Sequence, residues 1–190
     1  FLIKKDYLIA IQKFSAMALL SAIIVPLTLL LIRNNITAGY SLPEAGLWEA
    51  TTKLSSFYMH FFNAGLSLYY MPKLASLQTE SEFKQELMGY FSTFVPLFLI
   101  MLLVLFFVKE WVLELIFTTE FLKIKSVLIW QFIGDFFKII TLAFGYQILV
   151  KARLKVYFFL EIAFNVSYLL LSFFWIKTQG YEGAIQAYCC

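Results

Sequence analysis

The sequence predicts an all-α integral membrane protein, a polytopic helix bundle with about five complete transmembrane helices and the start of a sixth. Three observations predict it. Of 190 residues, 62% are hydrophobic and only 14% are charged. An ordinary soluble domain is closer to half apolar and a quarter charged, and a globule of this size has too little interior to hide the surplus. The apolar residues also fall in runs of the length that crosses a bilayer, roughly 20 residues each. A net charge of +3 without a basic cluster on a soluble face excludes disorder and nucleic-acid binding.

The predicted spans are 14–32, 47–71, 87–108, 127–150, 156–176 and one from 184 onward. Phe14 to Ile32 is free of charge and contains Pro26, a kink tolerated where neighbouring helices satisfy the freed carbonyl. Leu47 to Met71 carries Glu49 and Lys53 and is ended by Pro72 and Lys73. Leu87 to Val108 is the cleanest span, uncharged throughout, with Pro96 inside it. Val127 to Val150 carries Asp135 and Lys138, and Val156 to Ile176 carries Glu161. No segment has the form of a signal peptide. The chain starts at Phe1 and stops inside an apolar segment, so it reads as part of a longer protein. Cys189 and Cys190 are adjacent, cannot easily bridge each other and say nothing about redox compartment.

The loops alternate in charge. One side holds the amino-terminal stretch, the 72–86 loop and the 151–155 turn, with Lys4, Lys5, Lys13, Lys73, Lys84, Lys151, Arg153 and Lys155. The other side holds Arg33, Lys109, Lys123, Lys125 and Lys177. Cytoplasmic loops carry the excess of Lys and Arg, so the side with the 151–155 turn is expected inside, together with the amino end.

Polar residues inside the spans are the candidate site. Glu49, Lys53, Ser56, His60, Asn63, Ser67 and Tyr70 recur at intervals of 4, 3, 4, 3, 4 and 3 residues, which keeps them on one helix face. Leu54, Phe57, Phe61, Phe62, Leu66 and Leu68 are placed on the opposite faces. Such a stripe either glues helices together by hydrogen bonds or lines a water-accessible cavity. Glu49 and Lys53 on the same stripe favour the cavity, while His60 by itself reads as a packed, hydrogen-bonded residue rather than a proton carrier.

Asp135 and Lys138 lie three residues apart near mid-span, where each charge costs about 2.5–3.5 kcal/mol. They form either a structural ion pair or a site whose ammonium meets an anionic ligand. The second is favoured, because apolar packing would hold the helix at lower cost. Glu161, with Asn165 one turn on, either snorkels toward the 151–155 turn or relays protons.

A single histidine and two terminal cysteines supply no zinc spacing, and no glycine-rich nucleotide loop occurs. A serine nucleophile would have His60 as its one imidazole base. No catalytic residue, metal or cofactor is expected, and the chain reads as a transporter rather than an enzyme.

Several stretches resemble a known family. They are Gly46-Leu-Trp-Glu-Ala-Thr-Thr-Lys53, Tyr70-Met-Pro-Lys-Leu-Ala75, Trp130-Gln-Phe-Ile-Gly-Asp135-Phe-Phe-Lys138 and Phe144-Gly-Tyr-Gln147. Lys151-Ala-Arg-Leu-Lys-Val-Tyr-Phe158 and Gly180-Tyr-Glu-Gly-Ala-Ile-Gln-Ala-Tyr188 belong with them. Together they resemble the Wzx flippases of O-antigen and enterobacterial common antigen lipid-linked oligosaccharides, from about Gly46 to the end.

The resemblance implies a member of the multidrug/oligosaccharidyl-lipid/polysaccharide exporter superfamily, with twelve helices in two six-helix lobes. Residues 1–190 would be the carboxyl-terminal lobe, incomplete at both ends. The implied cargo is an undecaprenyl-pyrophosphate-linked glycan, moved across the bacterial inner membrane by alternating access in lipopolysaccharide or common-antigen biosynthesis. The implied partners are membrane lipid, the missing amino-terminal lobe and polysaccharide polymerase machinery, with no nucleic acid. Within that frame Lys53 and Lys138 would attract the pyrophosphate or an acidic sugar, with Glu49, His60 and Asn63 along the cavity. Asp135 would position Lys138, and Asp135 or Glu161 would couple transport to a proton or ion. The alternatives are a cation or multidrug antiporter of the same superfamily, resting on Glu49, Asp135 and Glu161, and a membrane polysaccharide polymerase or ligase. The second would need a large sugar-handling loop, and no loop here exceeds about 20 residues.

Overall fold

A computed structural model describes residues 5–190, and among them every regular element is helical. Lys4 of the basic tally lies outside the described residues. The helices are α1 (Lys5–Gly39), α2 (Leu42–Ser76), α3 (Glu80–Ile116), α4 (Leu128–Val150), α5 (Leu154–Gln179) and α6 (Tyr181–Cys189), with a 3-10 segment, Thr119–Ser126, between α3 and α4. Four of them are long and apolar enough to cross a membrane, over Ile11–Gly39, Glu80–Ile116, Leu128–Val150 and Leu154–Gln179. The polar stripe keeps α2 out of that set although it matches α1 in length, and α6 has nine residues.

Most helices overrun the expected spans because an uncharged run reports the hydrocarbon thickness, whereas a helix continues to its next stop signal. Ser41 caps α2 by accepting from the Glu44 amide at 3.4 Å. Thr79 and Glu82 form a reciprocal capping box at the start of α3, at 3.3 and 3.2 Å. Pro72 does not stop α2, which runs on to Ser76. One lost backbone bond is outweighed there by Leu74, fully buried, and by the Lys73–Glu86 bridge to α3 at 2.7 Å.

The ends alternate as a threaded bundle requires. Leu77, Gln78 and Thr79 of the α2–α3 loop share a hollow with Val150 and Lys151 of the α4–α5 turn, so the two basic loops lie at one end. At the other end Tyr40 packs on Gly180. Gly180 has φ +61 and ψ −141, a conformation essentially confined to glycine, and it turns the chain so that α6 folds back against α5 and α4. A Cβ on Gly183 would lie 2.5 Å from the Trp175 carbonyl, so α6 approaches α5 backbone to backbone.

Between α2, α3 and α4 the core is aromatic. Phe62 meets Phe98 at 4.9 Å, Tyr70 meets Tyr90 at 5.0 Å, and the Tyr90 hydroxyl donates to the Ile139 carbonyl at 2.8 Å. The polarity is reversed from that of a soluble protein: Phe107 is 82% exposed while Asp135 is fully buried.

Candidate functional site

Asp135 lies two turns into α4, about 10 Å from its start. Its carboxylate collects donors from three helices. Ser55 Oγ of α2 donates to Oδ2 at 2.6 Å, and the Tyr58 hydroxyl of α2 donates to the same oxygen. The Tyr188 hydroxyl of α6 donates to Oδ1 at 2.8 Å, and Gln131 Nε2, one turn earlier on α4, lies 3.4 Å from both oxygens. An ionised carboxylate only accepts, and hydrogen bonds to a charged group contribute about 1.5–3 kcal/mol each, which offsets much of the cost of burying it.

The position of Tyr188 depends on Gly134. A Cβ there would come within 2.5 Å of Tyr188 Cδ1, so only a glycine before Asp135 lets the ring lie on α4 and its hydroxyl reach the carboxylate. Gln131 Oε1 is buried without a hydrogen-bond partner among the described residues, beside the carboxylate. The buried seam therefore has polar capacity to spare.

Lys138 forms no ion pair with Asp135 among the described residues, so the ion-pair alternative does not hold, and Asp135 does not position the lysine by direct contact. The lysine is exposed, and its Nζ lies 5.6 Å from the centroid of the Tyr188 ring. Three residues along a helix turn the side chain by about 300°, and the intervening aromatic ring occupies the gap. Tyr188 thus links the two charges, with its hydroxyl on the carboxylate and its face toward the ammonium.

The α2 stripe is open through its middle and closed at its ends. Lys53, Ser56, His60 and Ser67 are exposed, Glu49 and Asn63 are half-buried, and Tyr70 is fully buried against Tyr90 and Tyr146. The interval of 3.5 residues drifts by about 20° per seven residues against a 3.6-residue helix, so three repeats from 49 to 70 rotate the last position by about 60° into the core. Glu49 bonds Arg33 of α1 at 2.7 Å instead of facing a cavity alone. Lys53 makes no ion pair among the described residues. Ser56, His60 and Ser67 satisfy themselves on backbone carbonyls one turn back, at 2.8, 2.6 and 3.0 Å. Phe57, Phe61 and Leu68, expected on the opposite faces, are exposed beside the stripe, while Leu54 and Leu66 are buried.

Glu161 is half-buried and makes no ion pair with the 151–155 turn among the described residues. Asn165 donates to the Glu161 backbone carbonyl at 2.8 Å, leaving the carboxylate uninvolved. Sequence reasoning missed Ser55, Tyr58, Gln131 and Tyr188. The available signals were the three-residue spacing of Ser55 and Tyr58, the four-residue spacing of Gln131 and Asp135, and a glycine immediately before a mid-span acid.

Against known proteins, no family model and no solved structure matches. The Lipid III flippases of Escherichia coli (strain K12) and Shigella flexneri each match over 178 residues at 26% identity. The chain is similar to two flippases. The match takes in 94% of this chain and 43% of each relative, so the chain spans less than half the length of the curated relatives it matches. It includes at least part of both the α2 stripe and the Asp135 cage, since 178 of 190 residues leave no room to omit either.

Proposed function

We infer that this chain is the carboxyl-terminal lobe of a transporter that moves a lipid-linked oligosaccharide across a bacterial inner membrane. The observation that carries the reading is the likeness to two proteins named Lipid III flippase along 94% of the chain. The geometry supports it in a second way: a helix with a polar face is open over its middle, in a bundle that otherwise exposes many large apolar side chains such as Phe107, Phe159 and Phe174. A polar face in lipid is costly unless water, substrate or protein covers it.

In this reading α2 counts as a span, giving five with α6 beginning a sixth, and an amino-terminal lobe encloses the open face. The cargo is an undecaprenyl-pyrophosphate-linked repeat unit, of O-antigen or of enterobacterial common antigen, delivered to polysaccharide polymerase machinery. Lys53 and Lys138 draw the pyrophosphate toward a low-dielectric route, lowering the barrier for a charge that is expensive at that depth. His60 and Asn63 offer hydrogen bonds along the same face, and Glu49 is held by Arg33 at one end of it. Asp135 and Glu161 are the groups through which a proton or cation would couple to the cycle. The lobes alternate in access, and no covalent chemistry is performed on the glycan.

The test is complementation with the intact protein in cells deprived of their own flippase, scoring glycan at the cell surface. Restored surface glycan without increased efflux of cationic dyes is expected. Dye efflux with no glycan would replace this reading with the antiporter.

A further inference from the structure

At the end of the bundle that carries the basic loops, a polar hollow adjoins an apolar slot. The hollow, about 430 Å³, is lined by Gln78, Thr79, Phe83 and Lys151 among others. The slot, about 250 Å³, is lined by Phe14, Met71, Pro72 and Ser67. Ala75 and Val150 line both, so the two are neighbours separated by these side chains at most. From Ala75 to Ser67 the slot follows α2 for about 12 Å toward the middle of the bundle. A polar head and an apolar foot of this kind match the two ends of a lipid.

The charge at the hollow is specific as well. Lys151 Nζ sits 4.1 Å from the centroid of the Phe83 ring and has no ion pair among the described residues. The nearby acids are mostly engaged: Glu86 by Lys73 at 2.7 Å, and Glu82 by the backbone amides of Gln78 and Thr79 at 2.9 and 3.2 Å. Glu80 lines the hollow with Lys151, but Arg153 and Lys155 follow in the same turn and likewise form no ion pair among the described residues. Between Lys151 and Arg153 stands Ala152 at φ +48, a left-handed conformation uncommon for a residue with a Cβ. Strain of that kind persists where the surroundings fix it, and here it fixes a sharp turn bearing three cations.

We propose that the hollow and slot together hold an anionic phospholipid of the surrounding bilayer. Its phosphate sits at Lys151 and the cations of the same turn, and one acyl chain lies among Phe14, Met71 and Val150. This requires only that the bundle sits in a membrane and does not depend on the cargo it carries.

The experiment measures lipid retained by the intact protein after purification from mixed phosphatidylglycerol and phosphatidylcholine membranes, by native mass spectrometry. Preferential retention of phosphatidylglycerol is expected, falling about fivefold in Lys151→Gln, the change associated with one basic residue at a membrane surface. Ala75→Trp fills the junction of hollow and slot and should lower retention of both lipids. Lys125→Gln, at the Glu110 bridge by the opposite end, should change nothing. Soluble glycerol phosphate should fail to compete, because it lacks the chain that the slot receives. Equal retention of the two lipids, unchanged retention in Lys151→Gln, or displacement by a polyprenyl pyrophosphate at equal concentration would each overturn the assignment.

Discussion

The Tyr188 hydroxyl donates to Asp135 at 2.8 Å across the packing of α6 on α4, and no other residue of α6 bonds that carboxylate. The bond joins the last helix of the chain to the most buried charge of the bundle. Replacing Tyr188 by Phe leaves Asp135 one donor short and should cost about 1–3 kcal/mol. Unfolding in detergent micelles should show a coupling of about 0.5–3 kcal/mol between Tyr188→Phe and Asp135→Asn. Additive effects would mean that the hydroxyl and the carboxylate do not meet.

Gly134→Ala should act through the same contact. The added methyl would come within 2.5 Å of the Tyr188 ring, so ring or helix must shift, at a cost of about 1–3 kcal/mol. Combining it with Tyr188→Ala removes the ring contacts and leaves only the backbone carbonyl of residue 188 at 3.3 Å, so the glycine change should then cost much less. Thermal unfolding of the three variants reads this out.

Asp135 and Lys138 should respond differently to neutralisation. Lys138→Gln should accumulate in membranes like the parent, because the lysine is exposed and forms no ion pair among the described residues, and it should lose transport of an anionic lipid cargo. The exchange Asp135→Lys with Lys138→Asp should fail to accumulate. It would bury a longer, cationic side chain where Ser55, Tyr58, Gln131 and Tyr188 are all oriented to donate to a carboxylate, so every one of them would have to reorient and the site would have to make room. Immunoblots of membrane fractions, beside surface-glycan staining, separate the two effects.

The Arg33–Glu49 bridge should contribute little to stability. Its side chains are 44% and 31% exposed, and pairs of that kind contribute up to about 1 kcal/mol. Arg33→Glu should therefore unfold nearly like the parent, and pairing it with Glu49→Arg should recover whatever is lost. A loss well above 1 kcal/mol would mean that the pair is shielded more than its exposure indicates.

These outcomes rest partly on features that were legible in the sequence and partly on ones that were not. Uncharged runs such as 87–108 announce a helix because nothing else satisfies a backbone in lipid, and α3 follows. The stripe on α2 was legible from its spacing, but its burial at Tyr70 was not, because a small mismatch of period accumulates over three repeats. Asp135 stood out as a charge at depth. Its partners did not, because Ser55, Tyr58 and Tyr188 are 80, 77 and 53 residues away, and only the packing of α2 and α6 on α4 brings them together. The expected pairing with Lys138 came from sequence proximity alone, and a tyrosine from another helix displaced it.

The face of α2 should be wet over its middle. Single cysteines at Ser56 and His60, exposed and outside the apolar slot, in an intact protein lacking Cys189 and Cys190, should react with membrane-impermeant thiol reagents in the absence of denaturant. Cysteines at Leu54 and Leu66, both buried, should not. Equal protection of the two sets would make the stripe a seam between helices.

Transport itself is measured by placing the purified intact protein in vesicles with an undecaprenyl-pyrophosphate-linked oligosaccharide and following its appearance at the opposite leaflet with an impermeant glycan-modifying probe. Translocation is expected to exceed that of protein-free vesicles and to fall about tenfold or more when Lys53 and Lys138 are both changed to Gln, a loss equivalent to about 1.4 kcal/mol of barrier. Translocation equal to protein-free vesicles, or a double variant as fast as the parent, would contradict a lipid-linked-glycan route that uses these two lysines.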